Sequence, residues 1–154
     1  MKTFFSTILM LAILSAGGYW LVQQLAAESR EISINSSLIN DNLVPCPAGF
    51  TCVNSDSMPT DSHFIVPIAD EDGTRWRKLV QIVEKFEGAD LVLSTDNYAY
   101  FTFTTKHLGF VDDVEFHYRP IEQLIAVRSA SRVGKFDFGI NRRRVEEIRV
   151  ALGL

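Results

Sequence analysis

Two cysteines, five prolines and three histidines are all that the 154 residues hold of these types, and each scarcity excludes something. So few cysteines rule out a disulfide-dense mini-protein. With no His-x3-His and no second Cys pair, no structural zinc site is written into the chain. Nine glycines without a triplet repeat exclude a collagen-like protein. A basic excess is missing as well: 19 Asp and Glu stand against 15 Lys and Arg, a net charge of −4, so nucleic acid is not an expected partner. No Gly-x-Ser-x-Gly elbow and no phosphate loop ending in Lys-Ser/Thr is present, and nothing in the chain calls for a cofactor. What remains is an ordinary composition, 47% hydrophobic and 22% charged, in a length that suits one domain.

That composition is unevenly spread. The 19 residues from Phe4 to Val22 carry no charged side chain, and a helix of about that length crosses a bilayer core. Lys2 precedes the run and Glu28, Arg30 and Glu31 follow it, so the start of the chain is expected in the cytoplasm and the rest is expected to be exported. Two readings stay open. A cleaved signal peptide would use Phe4–Leu14 as its apolar region and Ala16-Gly17-Gly18 as its processing site. A retained anchor would place Tyr19 and Trp20 at the interface and continue through Leu21 and Val22. Apolar character persists past the small residues, which favours the anchor. The expected location is the inner (cytoplasmic) membrane with the domain on its exported, periplasmic side, or secretion if the N-terminus is cleaved.

Export agrees with Cys46 and Cys52, which an oxidising compartment allows to pair. Reduced thiols and a metal site are the alternatives. The chain therefore divides into an anchor or signal segment (1–25), a Ser- and Asn-rich linker (26–44) and one domain (45–154).

Within the domain, Asp72-Gly73-Thr74 offers a cap, Trp76, Leu79, Val80, Val83 and Phe86 recur at helical spacing, and Gly88 ends the helix. Strands are predicted over Asp90–Thr95, Tyr98–Thr105, Gly109–Tyr118 and Leu124–Val133. A last helix is predicted from about Arg142 to Leu152, with Asn141 as its cap. The expected fold is α+β: an N-terminal transmembrane or signal helix, then a two-layer domain with an antiparallel sheet packed by two helices.

Strand parity carries the sharpest functional signal. Asp113, Glu115 and His117 share one face of their strand, with Asp112 on the other, while Arg128 and Arg132 share a face of the next strand. If the strands pair, acids and arginines lie across from one another, either as ion pairs that hold register or as a polar site. Arg142, Arg143 and Arg144 open the last helix, where the helix dipole disfavours cations. They are neutralised by Asp137 or Glu146, or they await an anion. Between Arg128 and Arg144 six cations stand against Asp137 alone, a local charge of +5.

Several segments in order have a familiar look: Cys46-Pro-x4-Cys-Val-x-Ser55, Asp61-x-His63-x-Ile65-x-Pro67, Trp76-x2-Leu79, Phe110-Val-Asp-Asp-Val-Glu-Phe116, Val127-Arg-Ser-Ala-Ser-Arg-Val-Gly134 and Asp137-Phe-Gly-Ile-Asn-Arg142 with Arg144-Val-Glu146. Over about residues 45–152 the chain resembles the domain-of-unknown-function 1499 family, small exported or membrane-associated proteins, mostly bacterial. The resemblance implies interest in Asp112, Asp113, Glu115, Arg128, Arg132, Asp137, Asn141 and Arg142 as ligand-binding residues. It supplies no activity. Thr102 stands where the family often carries Glu. The expectation is a membrane-tethered, non-enzymatic envelope domain that binds an anionic small molecule, a lipid or a protein partner through an Arg-rich polar site. The alternatives are a hydrolase or transferase using Asp113, Glu115, Arg128 and Arg132, and a purely structural envelope protein.

Overall fold

A computed structural model describes residues 2–32, 38–49 and 51–154. Lys2–Glu31 is one helix, α1, and it is long and apolar enough to cross a membrane. The domain then runs β1 (Cys52–Asn54), β2 (Ile68–Ala69), α2 (Thr74–Val83), β3 (Ala89–Ser94), β4 (Tyr98–Thr104), β5 (Val111–Arg119), β6 (Leu124–Ser131) and α3 (Ile140–Ala151). The strands form one six-stranded antiparallel sheet in the order β1-β6-β5-β4-β3, with β2 also pairing β6. The chain is thus an N-terminal apolar helix followed by an α+β domain.

Alternation explains why the sheet buries two different faces. Phe101 and Phe103 of β4, Val114 and Phe116 of β5, and Ile125 and Val127 of β6 point one way, and Leu79, Val83, Val145 and Ile148 of α2 and α3 close over them. Each of these side chains, buried against apolar neighbours, contributes about 1.5–3 kcal/mol. Tyr98, Tyr100 and Ala126 point the other way and gather a second, smaller cluster with Leu43.

Helix α2 is shorter at its C-terminal end than its spacing predicts. Its free amides are capped by Asp70, whose fully buried carboxylate accepts from the Arg75 and Trp76 amides at 3.1 and 2.9 Å. Asp72 adds a bond from the Thr74 amide. The helix ends at Val83, and Gly88 stands in the left-handed region (φ 78°) where the chain lies against β4. A Cβ there would come within 2.2 Å of the Thr104 carbonyl oxygen.

Two further expectations need correction. Asn141 does not cap α3, which starts at Ile140 after Gly139. Asp137 caps instead, its carboxylate accepting from the Gly139 and Asn141 amides. The segment 26–44, read as a linker, begins as the last turns of α1. Ala26 and Ser29 are fully buried, because Val22, Ala26 and Ser29 recur at helical spacing on the side that meets the domain. Residues 33–37 of that segment lie outside the described residues, and Leu43 beyond them is buried on the sheet.

Candidate functional site

β5 and β6 pair so that Glu115 lies directly across from Arg128 and Asp113 across from Ala130. On the face turned away from α2 and α3, the Arg128 Nη1 donates to Glu115 Oε2 at 2.7 Å, and the Tyr98 hydroxyl donates to Glu115 Oε1 at 2.6 Å. One step along the sheet, Arg132 grips Asp113 through Nε and Nη2, the latter at 2.8 Å, and the Tyr100 hydroxyl donates to Asp113 Oδ1 at 2.5 Å. Both carboxylates are fully buried, and Arg128 is 4% exposed. Charges so far from water persist only when paired and hydrogen-bonded. Among the described residues, the Arg128 Nε is buried without a hydrogen-bond partner.

The setting perturbs the groups around Asp113. Burial, and then the hydrogen bond to the carboxylate, push the Tyr100 phenol up to about 12. The bond to Asp113 holds the Arg132 guanidinium even more firmly protonated than usual. Thr102, at the position where the resemblance implies Glu, lies across from Asp113 on the same face. An acid there would set a second carboxylate beside Asp113.

This network reaches α1. Arg132 Nη1 donates to the Ser29 carbonyl at 3.1 Å, the Ser29 hydroxyl accepts from the Val111 amide at 3.1 Å, and Arg30 donates to the Gly109 carbonyl at 3.0 Å. Gly109 has no side chain to obstruct that approach, since a Cβ would stand 2.7 Å from Arg30 Nη1.

The opposite face holds a second network. Asp112 receives Arg144 Nη2 at 2.6 Å, and Arg144 Nη1 donates to Ser129 and Asn141. Asn141 in turn donates to the Thr51 carbonyl, the Ser131 hydroxyl and Asp137. The Arg144 guanidinium also lies 4.7 Å over the Phe103 ring. The three arginines that open α3 therefore have separate partners: Arg142 donates to the Ser62 and Phe64 carbonyls, Arg143 is exposed beside Glu147, and Arg144 is paired with Asp112. The neutralisation expected from Asp137 or Glu146 comes instead from Asp112 for Arg144 and from Glu147 for Arg143, while Arg142 is held by backbone carbonyls. Glu146 pairs with Arg149.

The eight residues singled out in the sequence thus fall into two networks on opposite faces of one sheet, with Arg142 apart at the start of α3. Arg144, Tyr98, Tyr100, Ser129 and Ser29 belong with them. Parity of the two tyrosines on the strand before Asp113 was a usable signal for the first network. Nothing in the chain marks Ser29 as a partner of Val111, 82 positions away.

Elsewhere, Cys46 and Cys52 form a disulfide with Cα atoms 5.7 Å apart. Phe50, inside that loop, lies outside the described residues. His63 ties the loop down, its Nδ1 lying 2.7 Å from Asp61 and its Nε2 2.6 Å from the Gly49 carbonyl. At the far end of β5, the Arg119 Nε donates to His117 Nδ1 at 3.2 Å and Arg119 Nη2 to Asp56 at 2.6 Å, beside an open cavity of about 370 Å³. Burial, and then the charge of Arg119, hold the His117 imidazole below its ordinary range. Among the described residues no three acidic, His or Cys side chains gather closely enough to hold a metal ion.

Neither a curated protein nor a solved structure matches this chain at a significant level. One family model does, over residues 42–152, its description reading "protein of unknown function (DUF1499)". It takes in the sheet and α3 members of both networks, the disulfide and Leu43, but not α1 with Ser29. The match covers well over half of the molecule, and the chain belongs to the DUF1499 family.

Proposed function

We propose that this chain is a membrane-anchored interaction protein of the cell envelope. In this reading α1 is retained in the cytoplasmic membrane and the domain stands on its exported side. The polar network on the outer face of the sheet fastens the domain to its own anchor.

The observation that carries the reading is the junction at Ser29, where the Asp113–Arg132 pair, the start of β5 and the end of α1 meet through two hydrogen bonds. A helix that continues unbroken from an apolar run into such a junction holds a domain at a set height above a bilayer, which a flexible stalk would not. The disulfide is consistent with export. The pairing of Asp113, Glu115, Arg128 and Arg132 with one another and with tyrosines favours positioning over the hydrolase or transferase alternative. A catalytic carboxylate must be within hydrogen-bond reach of its substrate, and these two are fully buried.

Membrane fractionation with an alkaline wash, followed by sequencing of the N-terminus, tests the proposal. The chain is expected to stay in the washed membranes with residues 1–22 attached. Recovery of a soluble chain that begins near Gly18 would replace the anchor by a cleaved signal. A protease-accessibility assay on spheroplasts is expected to cut the domain from outside.

A further inference from the structure

At the end of the sheet where β5 begins, the loop 105–110 and the loop 133–138 enclose a cavity of about 260 Å³. Leu108, Phe110, Val133, Phe136 and Phe138 contribute to its lining, and its remaining wall includes Leu25 of α1. Its character is apolar, unlike the mixed cavity beside His117 at the other end of the same strand.

Three observations fix what such a cavity faces. The first is depth. The apolar run ends at Val22, where Gln23 and Gln24 follow, and Leu25 lies about 4.5 Å of helix beyond it. Val22 and Gln23 are already partly buried, so the domain meets α1 where α1 leaves the hydrocarbon, and the cavity opens at headgroup depth. The second is exposure. Phe138 is 84% exposed and Leu108 41%, and Phe138 is held in the left-handed region at φ 53°, a conformation that bulky side chains rarely adopt. Its ring meets Phe136 edge to face at 5.8 Å. The third is charge. Lys106, His107 and Lys135 are exposed on the same two loops, Lys106 in a solvent-exposed ion pair with Glu87 at 2.6 Å. An aromatic and aliphatic lip with lysines at its margin is the pattern of a surface lying in a membrane interface.

We propose that this cavity is a lipid site. It takes an acyl chain of a phospholipid from the bilayer that α1 crosses, with Phe138 and Leu108 immersed in that bilayer and Lys106 and Lys135 among the headgroups. This rests on the retained-anchor reading. The interaction domain is then seated on the membrane face down and not merely tethered to it.

Depth-resolved fluorescence quenching in the full-length chain tests this. Three single-tryptophan proteins are reconstituted into vesicles of phosphatidylglycerol and phosphatidylcholine, the latter brominated near the top of its acyl chains. One keeps Trp20 and carries Trp76→Phe. The second carries Phe138→Trp with both native tryptophans replaced by Phe. The third carries Ile121→Trp in that same background. Ile121 is 97% exposed and lies beyond Arg119, about 26 Å of extended strand away from Val111. The Trp20 and position-138 probes are expected to lose most of their fluorescence, and the position-121 probe to keep it. Quenching of Trp20 without quenching at position 138 overturns the lipid site and leaves the anchor standing. No quenching at Trp20 overturns the anchor itself. Equal quenching at 121 and 138 also overturns the site, because the domain then has no fixed seat. If Phe138→Trp does not fold, Leu108→Trp in the same background gives the same reading.

Discussion

Glu115 and Arg128 set the terms at the level of single residues. Their carboxylate and guanidinium are 2.7 Å apart and almost wholly withdrawn from water. Removing one partner leaves the other buried and uncompensated, which costs about 3–5 kcal/mol, whereas replacing both by apolar groups is often close to neutral. Urea denaturation is therefore expected to show Arg128→Leu strongly destabilised and the double variant Glu115→Leu with Arg128→Leu recovering most of that loss. Recovery stops short of complete because the Tyr98 hydroxyl loses its acceptor. His117 makes a different prediction. Its folded-state pKa lies below the ordinary 6.5, with burial first and Arg119 second as causes. Below about pH 6.5 the unfolded chain takes up a proton that the folded chain refuses, so this contribution is present above that pH and is lost as pH falls. Denaturation midpoints compared between about pH 7 and pH 5 should drop for the native chain and drop less for His117→Gln.

The elements of secondary structure are joined at a few unforgiving points. Gly88 connects the end of α2 to β3 with its own carbonyl accepting from the Thr104 amide at 2.8 Å. Any side chain there is opposed twice, by the left-handed conformation and by the Thr104 oxygen, which would stand only 2.2 Å from a Cβ. Gly88→Ala is expected to cost about 2 kcal/mol or more, read as a lower melting temperature with no new fold. The strands and helices themselves follow from local rules. On β5 and β6 the parity that sets Asp113 with Glu115 on one face and Arg128 with Arg132 on one face is legible without knowledge of the pairing, whereas the register that puts Glu115 across from Arg128 is not. The start of α3 is not legible in this way. Asn141 is a good cap by residue type, but its side chain is drawn into the bonds with Thr51, Ser131 and Asp137 in the sheet-side network. Asp137 takes over at the helix start.

For the molecule as a whole, α1 and the domain behave as one unit. Ser29 satisfies the Val111 amide and Arg132, and Arg30 reaches Gly109. A chain lacking residues 1–37 is expected to fold but to lose about 2–4 kcal/mol, from three hydrogen bonds at about 1 kcal/mol each and the buried Ala26 contact. Hydrogen exchange should locate the loss at the Val111 amide before the centre of β5. A chain in which α1 were only a leash would show neither effect.

The sequence alone determined the apolar segment, the likeness to a family, the α+β order of elements and which acids and arginines share a face of β5 and of β6. These rest on runs, spacings and alternation, which are properties of neighbours along the chain. Tertiary structure alone decided that Arg144 belongs to Asp112, 32 positions away, and that Ser29 joins the end of α1 to the sheet. It also decided that the loops around Leu108 and Phe138 form one apolar lip beside Leu25. Each of those depends on which surfaces the sheet brings together, and a chain read in order carries no record of distance in space.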